Sequence, residues 1–372
     1  MTRCAVGAGV TVASVALIGS GVADASTSSG WSVQATPNPA AESLLNGVSC
    51  SSPRACTAVG TYITGSLANK NWTLAVRWDG RSWTRQATPN RRGGGALIGV
   101  SCPRARDCVA VGSAGDRTLV ERWTGHRWRI QASGSRRAGF LTAVSCSSPS
   151  ACVAVGSTAS NRALAERWNG NRWVIQHLRS PGDSLLTGVS CPSPTDCTAV
   201  GNAGPDGGGK TFAERWTKGR WVRQRTRSPA FASFLFAVSC SSPDACTAVG
   251  YDETMNTYPV KTLAERWNGR RWTLQATSNP SGLVSELAGI SCPSSSDCTA
   301  IGTYFPRRGV PVLAERWNGK QWAAQATPNP NGRLHGGQLN GVSCPSPTNC
   351  SAVGSYIRLP DGLEQTLAER YQ

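Results

Sequence analysis

The chain of 372 residues carries 38 Lys and Arg against 21 Asp and Glu, a formal net charge of +17. Its 41 Gly and 22 Pro interrupt almost every window of twelve residues, which argues against a helical protein and suits short strands joined by turns. There is no run of five basic residues, and the Arg pairs (Arg91-Arg92, Arg136-Arg137, Arg270-Arg271, Arg307-Arg308) are scattered, so nucleic acid is disfavoured as a partner.

The first segment reads MTRCAVGAGVTVASVALIGSGVADA. One Arg precedes an apolar stretch from about Ala5 to Val22, and Ala23-Asp24-Ala25 has the small-x-small form of a cleavage site. Residues 1–25 are therefore expected to be a secretory signal peptide, with an uncleaved anchor as the alternative. Cys4 lies too early to be a lipoprotein cysteine. No other segment is long and apolar enough to span a membrane, so no stable span is expected after cleavage. Residues 26–372 are expected to form one domain, monomeric, outside the cell or at its envelope.

That domain opens with GWSVQATPNP and then repeats one phrase seven times, first as LNGVSCSSPRACTAVG from Leu45 to Gly60. Every copy holds two cysteines in C-x5-C spacing: Cys50/Cys56, Cys102/Cys108, Cys146/Cys152, Cys191/Cys197, Cys240/Cys246, Cys292/Cys298 and Cys344/Cys350. Ser, Pro, Asp, Arg and Ala fill the gap, and β-like runs flank it. The two thiols should thus face each other beside a hairpin turn, as a non-hydrogen-bonded pair with Cα atoms about 4.5 Å apart, within disulfide reach. Zinc would need two further ligands per repeat. Only His126, His177 and His335 exist, at unrelated repeat positions, so no metal or other cofactor is expected.

Each repeat continues through LAERWNGxxW or a variant, and Asn-Gly at 169–170, 268–269 and 318–319, with Asp79-Gly80 in the first, marks a hairpin. The period fits four-stranded propeller blades. The seventh copy stops at LAERYQ without a fourth strand. The opening GWSVQATPNP matches QWAAQATPNP late in the chain. A seven-bladed all-β propeller is predicted, with four antiparallel strands per blade, whose last blade takes its outer strand from the N-terminal end.

Strand alternation places both Trp of the hairpin and the Glu of LAERW on one face, and the Arg on the other. This predicts a ring of ion pairs between neighbouring blades, from Arg77, Arg122, Arg167, Arg215, Arg266, Arg316 and Arg370 to Glu121, Glu166, Glu214, Glu265, Glu315 and Glu369, with Val76 the exception. The Gly closing each CTAVG run (Gly60, Gly112, Gly156, Gly201, Gly250, Gly302, Gly354) points to a bulge or to a close approach by the next blade.

Loop lengths sort the two faces of the disc. The C-x5-C and W-x4-W turns are uniform and read as scaffold. The opposite loops vary and carry Tyr62, Trp72, Tyr251, Asp252, Glu253, Tyr258, Tyr304, Phe305, Arg307, Arg308, Tyr356, Arg358 and Asp361, the candidate ligand-binding residues. Aromatics mixed with Arg and carboxylates suit an extracellular glycan or protein. No catalytic residue is nominated. The competing enzyme reading is a propeller-type glycoside hydrolase or lyase. It needs acidic residues such as Asp116, Asp206, Asp252, Glu253 and Asp361 to converge at the central mouth. A third reading is a passive envelope protein.

The motif VSC-x-S-P-x-x-C-x-AVG followed by LAERWNG-x-x-W resembles the uncharacterised secreted β-propeller repeats of actinomycete-type bacteria. The resemblance spans residues 31 to 372 and implies a propeller, with no particular activity.

Overall fold

The computed structural model describes residues 30–64, 70–90, 93–204, 209–254, 257–280, 283–305, 311–328, 330 and 336–372. The expected signal peptide, Cys4, Asp206, Arg307, Arg308 and His335 lie outside them, as does the side chain of Tyr258.

The described residues are all-β, with 28 strands among them in four-stranded antiparallel sheets arranged as propeller-like repeats. The first repeat shows the pattern. Strands Glu42–Ser52, Ala55–Thr64, Lys70–Trp78 and Trp83–Gln86 pair in sequence order. Two neighbouring sheets are further joined by a single parallel bridge between Val260 and Val284.

The sheet that ends the chain is completed from its beginning. Trp31–Gln34 pairs antiparallel with Glu364–Tyr371, in the register Trp31 to Tyr371 and Gln34 to Ala368. The rings of Trp31 and Tyr371 meet at 5.6 Å, as the two Trp of the other hairpins do. The expected closure is present.

Among the described residues, seven hydrophobic clusters lie between successive sheets. One joins Val59 and Ala75 to Leu97, Val100 and Trp123 of the next repeat. Another joins Val353 and Ala368 of the last repeat to Leu45, Val48 and Trp78 of the first. The Ser of each VSC triplet adds a polar ring. Its hydroxyl accepts the Cys N–H of the following repeat, from Ser49 to Cys102 round to Ser343 and Cys50, each at about 2.9–3.0 Å. Buried N–H groups are satisfied across every junction.

All seven C-x5-C pairs are disulfides, with Cα atoms 3.9–4.1 Å apart, closer than the expected 4.5 Å. Their placement beside the turn is the expected one: Cys50 and Cys56, Cys146 and Cys152, and Cys240 and Cys246 are register partners across it. The spacing sets both cysteines beside a turn, as staples of one hairpin. In the structure the second cysteine of every pair (Cys56, Cys108, Cys152, Cys197, Cys246, Cys298 and Cys350) is a core residue, only 1–3% exposed. The cause is its strand, which is flanked on both sides. Cys56, for example, has Cys50 as register partner on one side and Trp78 on the other. One face of that strand then closes against the preceding repeat. Cys56 joins the cluster of Val353 and Ala368, Cys108 that of Val59 and Ala75, Cys152 that of Val109 and Val111, and Cys197 that of Val153 and Val155. Cys246 joins Val200, Cys298 joins Val249 and Cys350 joins Ile301 in the same way. Hydroxyls of the preceding repeat reach several of these sulfurs: Thr57 lies 3.6 Å from Cys108, Thr299 3.6 Å from Cys350 and Ser351 3.6 Å from Cys56. The disulfides therefore contribute to the contact between repeats and not to the hairpins alone.

Such a set of disulfides fits an oxidising environment outside the cytosol. Among the described residues no helix is long and apolar enough to cross a membrane.

Gly60 lacks a Cβ for a different reason than approach by the next blade. Each first strand bulges between positions such as Leu45 and Gly47, and a Cβ on Gly60 would strike the Leu44 carbonyl of the same sheet. The W-x4-W hairpin forms as its spacing implies. Trp168 pairs with Trp173 around a four-residue turn in which only Gly170 has positive φ (94°). The Asn169 side chain accepts the N–H groups of Asn171 and Arg172 at 3.0 Å, an Asx turn rather than a two-residue hairpin.

The predicted Arg–Glu ion pairs do not form among the described residues. Arg and Glu share every junction except the one with Val76, but the Glu lies two residues before the Trp on its strand, about 7 Å away. The guanidinium covers the Trp instead and reaches outward to the turn. Arg77 lies over Trp123, Arg167 over Trp216 at 4.9 Å, Arg316 over Tyr371 at 4.7 Å and Arg370 over Trp78 at 4.7 Å. Arg122, Arg167, Arg316 and Arg370 also donate to the carbonyls of Pro149, Pro194, Pro347 and Pro53 in the next repeat.

Candidate binding face and central channel

The first strands surround a central channel of about 440 Å³. Three consecutive residues from every repeat line it, from Asn46-Gly47-Val48 to Asn340-Gly341-Val342. Glycine allows the approach at its narrowest contacts: a Cβ on Gly341 would stand 3.0 Å from the Gly47 Cα. Asn46, Thr142, Thr187 and Asn340 donate to carbonyls of the next repeat at 2.6–2.9 Å. These polar groups are engaged in holding the ring. No ionisable side chain lines the channel among the described residues.

The variable face gathers the candidate residues into separate groups. In the first repeat Tyr62 and Trp72 are register partners. The Trp72 indole N–H donates to Thr64 Oγ1 at 2.7 Å. The Arg85 guanidinium lies 4.8 Å over the Tyr62 ring and donates to its hydroxyl at 2.9 Å.

In the fifth repeat Tyr251 stacks on Phe234 at 4.9 Å and meets Phe236 at 5.4 Å. Burial, then the charges of Glu253 and Glu286, push its phenol pKa up. Burial also raises Asp252 and Glu286, and Lys261, the register partner of Asp252, offsets part of the Asp252 rise. Glu253 and Glu286 therefore converge on one tyrosine and not on the channel.

Repeats six and seven form a cleft of about 170 Å³ lined by Phe305, Tyr356, Ile357, Gln338, Ser355 and Glu364, with Gly336 and Gly337 in its floor. Ser355 donates to Glu364 at 2.6 Å, and Gln338 donates to Ser355 at 3.2 Å. Beside it Arg358 and Asp361 form an ion pair that closes their own loop, which lowers the Asp361 pKa and raises that of Arg358. Tyr304 is half-buried and packs into the core, whereas Phe305 is 39% exposed.

The exposed apolar residues Phe231, Leu283, Ile357 and Leu359 belong to the same face and were not among the candidates. Leu283 donates its N–H to the Phe305 carbonyl at 2.9 Å, which brings the loop between two repeats beside the cleft. The variable length of those loops was the signal that could have found it. Among the described residues no group of three His, Cys, Asp or Glu could hold a metal ion.

No protein-family model and no curated protein matches the chain. Solved structures do. YCF48 bound to D1 peptide is 12% identical, with a TM-score of 0.58 over 92% of this chain and 94% of that one. YCF48 from Cyanidioschyzon merolae is 14% identical, with a TM-score of 0.57 over 92% and 99%. A chain of the mitotic checkpoint complex is 12% identical, with a TM-score of 0.59 over 100% and 99%. At these identities the likeness is one of fold.

Proposed function

We propose that the chain is a secreted, monomeric, seven-bladed β-propeller of the actinomycete type. After loss of residues 1–25 it acts as a binding or scaffolding module for an extracellular protein or glycan. One observation carries the reading: the uncharged channel is committed to holding the ring together, while exposed aromatic and aliphatic side chains collect on the variable face. A protein segment is the favoured ligand, because aliphatic Leu283 and Ile357 stand beside Phe305, and aliphatic groups suit peptide side chains better than sugar faces. That a structural neighbour, YCF48, has been captured with a peptide is in keeping with this choice. Arg307, Arg308 and Tyr258 belong to the same proposed face.

The test is to present the mature protein to a glycan and cell-wall-fragment array and to a displayed peptide library. Peptide capture that falls at least tenfold in a Phe305→Ser/Ile357→Ser variant of unchanged melting temperature is the expected result. Turnover of a sugar substrate without capture would instead favour the hydrolase reading.

A further inference from the structure

We infer that the opposite face, built from the uniform turns, binds an anionic polymer through phosphate or carboxylate groups. The C-x5-C and W-x4-W turns of each repeat adjoin: Arg54 packs against Gly80, and Arg106 against Gly125. Six of the W-x4-W turns present an exposed basic residue, namely Arg81, Arg127, Arg172, Arg220, Arg271 and Lys320. Arg54, Arg104 and Arg106 extend this set on the neighbouring turns.

The acids of these turns are already engaged. Asp79 accepts the N–H groups of Arg81 and Ser82 at 2.8 and 2.9 Å. Asp107 faces Arg122 at 3.8 Å, and Asp196 and Asp244 face Arg215 at 3.6 and 3.4 Å. Asp297 accepts the hydroxyls of Ser294 and Ser296. The ion pairs of these turns draw in only Arg122 and Arg215 among the described residues, and the exposed basic residues outnumber the five acids, so the rim keeps a positive excess for an outside partner. On the variable face, by contrast, acidic Asp252, Glu253, Glu286, Asp361 and Glu364 stand among the basic residues.

Two features select the partner class. Arginine predominates, and its planar fork pairs two-pronged with phosphate and carboxylate. None of the large exposed apolar residues lies in these turns, so the face has nothing to insert into a bilayer. A polymer repeating its charges along a chain can engage several turns at once. This surface is separate from the variable face, and the two proposals fail independently.

The experiment uses the purified mature protein with linear polyphosphate, polygalacturonate, duplex DNA and phosphatidylglycerol vesicles as probes. Binding to polyphosphate or polygalacturonate that weakens steeply with salt is expected. An Arg127→Ser/Arg172→Ser/Arg271→Ser variant should lose at least tenfold in affinity. A control, Arg136→Ser/Arg137→Ser, in the loop between two repeats on the variable face, should bind as the parent does. Equal losses in both variants, preference for duplex DNA or for vesicles, or no binding to either polymer would overturn the assignment.

Discussion

Arg370, 4% exposed, lays its guanidinium 4.7 Å over the ring of Trp78 and donates to the Pro53 carbonyl at 3.0 Å. The last strand of the chain is thereby fastened to the first repeat, in the manner that Arg316 is fastened to Tyr371. The cation–ring contact contributes about 0.5–2 kcal/mol and a hydrogen bond to a charged group about 1.5–3 kcal/mol. Arg370→Met keeps much of the packing and loses both. It is expected to lower stability by about 2–3 kcal/mol in guanidinium unfolding. A change below about 0.5 kcal/mol would mean that the junction is held elsewhere.

A second prediction concerns buried carboxyls. Glu166, Glu214, Glu265 and Glu315 accept N–H groups from Gly134, Arg179, Arg227 and Ser278, each three residues past the Gln of the preceding repeat. At the corresponding positions before Glu121 and Glu369 stand Pro89 and Pro328, which have no N–H to give. No backbone N–H reaches either oxygen of Glu121 or of Glu369 among the described residues, and burial pushes both groups up to about 8, the Thr73 hydroxyl near Glu121 offsetting only part of its rise. The folded state then holds protons that the unfolded chain, near 4.5, has released. Stability from these two groups is full below 4.5 and is lost as pH rises toward about 8. Glu121→Gln/Glu369→Gln should therefore flatten the fall in melting temperature over that window and raise it at neutral pH by a few degrees, about 2–4 °C per kcal/mol gained. A fall that keeps its slope in the variant would contradict the assignment.

The same comparison accounts for the one repeat without this Glu. Pro37 occupies the corresponding place before the first repeat, and that repeat carries Val76. Pro89→Ser and Pro328→Ser, which restore a donor, should lower the pKa values of Glu121 and Glu369, as read by carboxyl NMR titration.

The disulfides close short loops, and by the chain-entropy estimate each contributes about 2 kcal/mol. The burial of Cys56 against Val353 and Ala368 adds the packing of its sulfur. Cys50→Ala/Cys56→Ala should therefore cost about 2–4 kcal/mol while leaving the far-UV spectrum unchanged. Full reduction should abolish the cooperative transition at 37 °C. A cost below about 1 kcal/mol in the double variant would mean that the bond stabilises neither hairpin nor junction.

The two kinds of glycine should respond differently. A Cβ on Gly60 meets its own sheet's backbone, but Ala143 and Ala237 already stand where Gly47 and Gly341 do in other repeats. Gly60→Ala is expected to cost about 2–3 kcal/mol and Gly341→Ala less than half of that. Equal costs in chemical denaturation would remove the distinction.

The repeat, its disulfides and the borrowed strand were legible because each is written as spacing: C-x5-C, W-x4-W and a truncated last copy answered by GWSVQATPNP. The fate of the Arg and Glu rows was not. Alternation assigns a side chain to a face but not to a height along it, and at the height of Arg77 the neighbour is the Trp123 ring. The depth of Cys56 and Cys108 was hidden for a related reason: spacing pairs two cysteines across a turn but does not say which neighbouring sheet covers them. The contacts of the candidate face were half legible. Tyr62 and Tyr356 stood out as aromatics in variable loops, yet Arg85 over Tyr62 comes from a fourth strand, and no local pattern brings the two together.

Ring closure is tested most directly by hydrogen exchange of the protein, followed by mass spectrometry of peptides covering residues 31–34 and 364–371. The account predicts that the amides of Trp31–Gln34 exchange as slowly as those of Trp83–Gln86 and that both segments lose protection together on unfolding. Exchange of residues 31–34 within seconds, while 364–371 stay protected, would contradict it.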